Sequence, residues 1–165
     1  MLYLSQPTKV QSMETHRALN AADGYLFFSL LDEALEELAS IPADEQKDSP
    51  VMLARIRLLL HKKEWRSAEV HSAQGSGLHP EEGEFTVQRA FALHQMDKGE
   101  KAEQVLLSAP DWIRRPGILH YNLACYEARL GDLSIARQCI DAAIQINEGI
   151  KKSARVDPDL QSLWN

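Results

Sequence analysis

The chain has 165 residues, 44% of them hydrophobic and 25% charged, with a formal net charge of −6 and a pI near 5.5. That composition suits one soluble globular domain, read here as residues 1–165 with a continuous core. The acidic balance argues against nucleic acid, which needs a basic face, and disfavours an anionic membrane surface.

No apolar run approaches the roughly 20 residues that a transmembrane helix requires. The opening Met-Leu-Tyr-Leu-Ser-Gln-Pro has neither a basic n-region nor a long apolar h-region, so no secretory leader is expected. Two cysteines, Cys125 and Cys139, are too few for a disulfide framework. A reduced, cytoplasmic protein is the resulting expectation.

In chain order, apolar periodicity predicts helix pairs near 12–28 and 31–41, then 50–62 and 65–75. Two further pairs follow, near 84–96 and 100–109, and near 117–130 and 133–147. Breakers separate the pairs: Pro42 to Pro50, Gly75 to Pro80, and Pro110 to Pro116. No segment alternates like a strand for long enough to compete. Gln74-Gly75-Ser76-Gly77 follows a helix rather than a strand, so it is read as a helix-ending loop and not a phosphate loop. After Ile146 the chain continues as a further expected helix, and Asp157-Pro158-Asp159-Leu160 is a helix-start signal with Asp157 at the N-cap.

An internal repeat organises these elements. Ala34, Ala68, Ala102 and Ala136 are each 34 residues apart. Four residues after them stand Leu38, Ser72, Leu106 and Ile140, and twelve before them Ala22, Ile56, Ala90 and Ala124. Small residues recurring in register allow two antiparallel helices to approach closely and each pair to stack on the next. The fourth unit carries the pattern most fully, with Tyr121-Asn-Leu-Ala-Cys-Tyr-Glu-Ala-Arg-Leu-Gly-Asp132 followed by Leu133 to Ile146. Trp65, Leu78-His79-Pro80, Leu93 and Tyr25 hold further slots in the other units.

On these residues, roughly 15–148, the chain resembles tetratricopeptide repeat (TPR) proteins. Its Asp157-Pro-Asp-Leu160…Leu163-Trp164 ending is similar to that of small bacterial members. The resemblance implies an all-α fold: a right-handed α-solenoid of four helix-turn-helix repeats. These span approximately 15–48, 49–82, 83–116 and 117–148, with a C-terminal capping segment over 149–165. Leu160, Leu163 and Trp164 form a stripe that either covers the last pair or lets Trp164 fold back into a groove.

The chemical motifs searched for are not found: no Walker loop, no G-x-S-x-G, no H-E-x-x-H and no Cys-x-x-Cys. The histidines His16, His61, His71, His79, His94 and His120 include no i, i+4 pair that would clamp a metal. His61 and His94, nearly one repeat apart, face each other across neighbouring helices or simply sit at the surface. No catalytic residue, cofactor or metal is expected. The acidic stretch from Asp32 to Glu37 reads as a solvated helix face.

The resemblance further implies a concave groove lined by the first helix of each pair. Its slots fall on Leu53, Arg57, Leu60 and His61, on Val87, Phe91, His94 and Gln95, and on Tyr121, Cys125, Ala128 and Arg129. Apolar side chains beside arginine and histidine suit a partner peptide or helix that carries acidic groups, since arginine forks match carboxylates. The slots that grip heat-shock-protein tails in TPR co-chaperones hold Leu19, Asp23, Ala54, Glu84 and Gln88 here, or Leu53, Arg57, Gln88, Ile118 and Asn122 one unit on. Neither set is a carboxylate clamp. Arg55 and Arg89, 34 apart, are expected to pair with acidic neighbours between repeats.

The function these features imply is an interaction scaffold, monomeric or weakly self-associating. The alternatives are a small chaperone for an exported protein, or a self-associating structural unit that uses the Trp112 loop or an end cap. An enzyme built on groove histidines is disfavoured.

Overall fold

The computed structural model describes residues 11–111 and 115–164, the side chains of 103 and 116 excepted. The Trp112 loop lies outside the described residues. Every regular element among the described residues is helical. Eight helices form four consecutive pairs: α1 (Met13–Phe27) with α2 (Leu31–Ala39), and α3 (Ser49–His61) with α4 (Trp65–Leu78). The others are α5 (Gly83–Gln95) with α6 (Gly99–Leu107), and α7 (Pro116–Leu130) with α8 (Leu133–Ile146). A short α9 (Ile150–Val156) and a 3-10 helix (Pro158–Leu163) end the chain.

Within each pair the chain reverses through one residue in left-handed conformation. These residues are Ser29, Lys63, Asp97 and Gly131, with φ of 59°, 60°, 58° and 90°, and they stand 34 positions apart. The residue after each one donates its N–H back to the helix just ended, Leu30 to Tyr25, Glu64 to Leu59, Lys98 to Leu93 and Asp132 to Glu127, at 2.9–3.0 Å. These bonds satisfy carbonyls that a helix end would otherwise orphan. The same four residues then accept from Ala34, Ala68, Ala102 and Ala136, which opens the second helix. All four alanines are buried, as are Ala22, Ile56, Ala90 and Ala124 on the first helices.

The pairs are joined differently from one another. Gln46 closes the α2–α3 connection by donating to the Leu38 and Ile41 carbonyls at 2.9 and 2.7 Å. Glu45 accepts from Ser12, the N-cap of α1, at 3.2 Å. Between α4 and α5 the contact is closer. A Cβ at Gly75 would meet the fully buried Phe85 ring at 2.2 Å. This contact explains why α4 runs on to Leu78, whereas the sequence predicts a loop from Gly75. Helix propensity disfavours glycine by about 1 kcal/mol, but only glycine lets Phe85 seat against α4.

The first helices also pack side by side, α1 on α3, α3 on α5 and α5 on α7, and α7 reaches α3 as well. Phe91 sits at this junction, edge-on to Trp65 with centroids 6.1 Å apart and stacked on Tyr126 at 5.1 Å. By contrast, α6 packs against α5 alone among the described helices.

The C-terminal segment closes the last pair. Leu160 and Leu163 are buried against α7, α8 and α9. Trp164 donates its indole N–H to the Ala154 carbonyl at 3.0 Å, and the Arg137 guanidinium lies 5.3 Å from its ring centroid. Trp164 is therefore a cap on the α8–α9 side. The predicted helix start at Asp157 opens a six-residue 3-10 helix, its carboxylate accepting from the Asp159 N–H at 2.9 Å.

Two substitution sets test this packing by urea denaturation. Gly75→Ala is expected to destabilise by about 1–3 kcal/mol through overpacking against Phe85. Lys63→Gly relieves a left-handed β-carbon and should stabilise by about 0.5–1 kcal/mol, while Gly131→Ala should destabilise by about 1–2 kcal/mol.

Candidate functional site

Five side chains predicted for the groove meet at one notch. Arg57, Leu60 and His61 of α3, Phe91 of α5, and Tyr126, Arg129 and Leu130 of α7 line a small cleft of about 10 Å³, room for roughly one water molecule. The notch exists because α7 packs on α3 and α5 together, which brings the last turn of α3 to the last turn of α7. Phe91 and Tyr126 are both buried and form its floor.

The remaining predicted residues lie elsewhere. Val87 is fully buried in the core formed by α3, α4, α5 and α7, so it presents no docking surface. Leu53 packs against the same core. Gln95 donates to the buried Glu127 at 2.9 Å, while His94 is exposed and lies outside the notch. The two histidines thus do not form a joint site. Tyr121 donates to Asp157, and Cys125 and Ala128 are buried against the terminal segment. Of the recurring arginines, Arg89 pairs with Glu69 across the α4–α5 junction at 2.8 Å. Arg55 instead donates to the neutral Gln46, a departure from the expected acidic partner.

Sequence reasoning missed Tyr126, Asp23, Asp157 and Asp159. Tyr126 is 35 residues after Phe91, one step off the repeat, and that step turns its ring onto Phe91. The two C-terminal aspartates are readable in sequence only as a helix start. In the fold Asp159 accepts from Arg129 at 2.6 Å, and Arg57 pairs with Asp23 of α1.

The electrostatics follow from this crowding. Burial first, then the Arg129 and Arg57 charges, lower the His61 pKa, while Asp159 opposes them. Burial alone would lower Arg129, but its hydrogen bond and attraction to Asp159 outweigh that and hold it above its ordinary value. Arg129 also lies 5.4 Å from the Tyr126 ring centroid, a cation–π arrangement. The Cys125 thiol is pushed up to about 12 by burial and then by Asp157 and Asp159, so it stays protonated at neutral pH and offers no thiolate nucleophile. Tyr121 is raised by burial and by its bond to Asp157.

Ligand atoms of Cys125, Asp157 and Asp159 lie within 4.8 Å of one another. Asp159 is engaged by Arg129 and Asp157 by Tyr121, so hydrogen bonds within the chain account for the grouping. What the notch offers is an apolar floor between two guanidinium groups. No helix among the described residues is long and apolar enough to cross a membrane.

His61 provides a direct check. A neutral ring is favoured in the fold, so its contribution to stability is complete above the unfolded pKa of about 6.5 and is lost as pH falls through the lowered folded value. An NMR titration should place the His61 midpoint below about 6.5, and Asp159→Asn should move it lower still. No protein-family model, curated protein or solved structure matches this chain.

Proposed function

We propose that the chain is a protein–protein interaction scaffold: four TPR-type helix pairs stacked as a right-handed solenoid, capped at the C-terminus and presenting the notch to an acidic segment of a partner. The observation that carries this reading is the pairing of Arg57 and Arg129 about a floor of Leu60, Phe91, Tyr126 and Leu130, in a chain whose net charge is −6. A locally cationic, aromatic-floored recess in an acidic protein selects anionic ligands by charge and orients them by shape. The 34-residue recurrence of the left-handed turns, each followed by a buried alanine, supports the TPR relationship.

The test is affinity capture from a lysate of the source cells, read by mass spectrometry. Wild type is compared with Arg57→Glu and Arg129→Gln, once circular dichroism shows that all three fold. Phe91 is unsuitable as a probe, because truncating a fully buried aromatic costs about 3–5 kcal/mol. Capture by wild type and loss from both variants is the expected outcome. Retention by both would remove the groove as the working surface.

A second reading is self-association through the α1–α2 turn. Phe27 and Phe28 are 82% and 71% exposed and form an edge-to-face pair at 5.2 Å, a patch that invites burial. If this patch mediates contact, light scattering will show a dimer that Phe27→Ser/Phe28→Ser converts to monomer. A monomeric wild type would eliminate it.

A further inference from the structure

Charge is spread unevenly along the chain. Residues 1–48 contain three basic and nine acidic side chains, so the whole net charge of −6 lies there, while the remaining residues carry fifteen of each. Helix α2 presents much of that acid. Glu33, Glu36 and Glu37 stand three and four residues apart, which puts them on one helix face. Glu33 and Glu36 are exposed and Glu37 is half-buried. None of the three is in an ion pair among the described residues. Asp32 beside them is already held by Lys62 at 2.7 Å.

At the other end of the chain, α9 carries the opposite charge. Lys151, Lys152 and Arg155 are exposed, and together with Glu148 they line one open depression of about 340 Å³. No carboxylate among the described residues pairs with any of these three cations. The two helices make no contact within one molecule. Among the described elements, α2 packs on α1 and α3 only, and α9 on α7, α8 and the 3-10 helix only.

The two rows of charge also match in spacing. Glu33, Glu36 and Glu37 ascend by three residues and then one, and Arg155, Lys152 and Lys151 descend by the same steps. With a rise of about 1.5 Å per residue, antiparallel helices set Glu33 opposite Arg155. One turn further on, Glu36 and Glu37 face Lys151 and Lys152. The same register brings Leu30, 42% exposed, beside Val156, 76% exposed, so an apolar contact closes one end of the charged row.

We propose that a second copy of this chain occupies each face: α2 of one molecule docks antiparallel on α9 of the next through three carboxylate–cation pairs. Because the interface joins two different surfaces, every copy added leaves one acidic and one basic face free, and assembly runs head to tail. Three exposed ion pairs and one apolar contact make the association weak and sensitive to salt. It involves neither the notch nor the Phe27–Phe28 pair, so it stands or falls independently of the partner-binding reading.

The experiment is light scattering of the full chain at up to about 1 mM protein. Salt is set at about 0.01 M and then about 1 M, where screening lengths are about 30 Å and about 3 Å. The average mass should rise above the monomer with concentration at low salt and return to the monomer at high salt. Lys152→Glu/Arg155→Glu and Glu33→Lys/Glu36→Lys should each weaken association about tenfold or more, since two attractive pairs become repulsive. An equimolar mixture of these two variants should regain the wild-type mass, because the native acidic face of one meets the native basic face of the other and the reversed faces also match. Arg66→Glu/Lys101→Glu, at exposed sites on α4 and α6, changes net charge as much as the first variant and should assemble as wild type does.

A wild type that stays monomeric at low salt would overturn the proposal, as would a mixture that stays monomeric. Equal loss in Arg66→Glu/Lys101→Glu would assign the effect to net charge and overturn it too. Association indifferent to both charge reversals but lost in Phe27→Ser/Phe28→Ser would overturn this interface and place the contact at the α1–α2 turn. Circular dichroism accompanies each variant, and recovery in the mixture excludes misfolding as the cause of either loss.

Discussion

Two helices can face each other only if the chain reverses within a few residues while the carbonyls of the first helix still find donors. Four residues, one in each pair, meet both demands by taking a left-handed conformation, and each stands 34 positions from the next. The closing hydrogen bond fixes where the second helix begins, and so fixes which residue arrives at the closest approach. That residue is a buried alanine every time. Only one of the four turn residues is glycine. Ser29, Lys63 and Asp97 hold the strained conformation because packing on both sides of the turn determines it.

Pairs formed in this way still have to be set against one another, and bulk decides how. Phe85 leans on α4 where Gly75 leaves room. One repeat earlier, the corresponding positions are Ile41 and Val51, both buried in the core formed by the first three helices, so bulk has moved from one helix to the other. At the next junction, the Phe91–Tyr126 stack draws α7 onto α5 and α3 together. This contact turns a row of separate helix faces into a recess with a floor.

Charge completes the site. The protein is acidic overall, yet Arg57 and Arg129 are brought to one cleft, with His61 between them held toward its neutral form. The terminal segment takes part twice. Leu160 and Leu163 seal the last pair, and Asp159 holds Arg129 in place over Tyr126. Capping and the electrostatics of the recess are therefore carried by the same few residues.

The sequence by itself determined the eight paired helices, most of their limits to within about two residues, and the buried alanine register, because these follow from local periodicity and turn chemistry. It also placed Arg57, His61, Phe91 and Arg129 on the helix faces that come together. Tertiary structure alone decided the rest. The α4 end, predicted at Gly75, moved to Leu78 because a ring from α5 seats there, and no local propensity contains that contact. Val87 went into the core and Gln95 to Glu127, since a repeat register specifies a helix face but not how far the next helix leans over it. The pairing of Asp23 and Asp159 with the two arginines joins residues 34 and 30 positions apart, and such contacts arise only once the whole stack has set the distance between its ends.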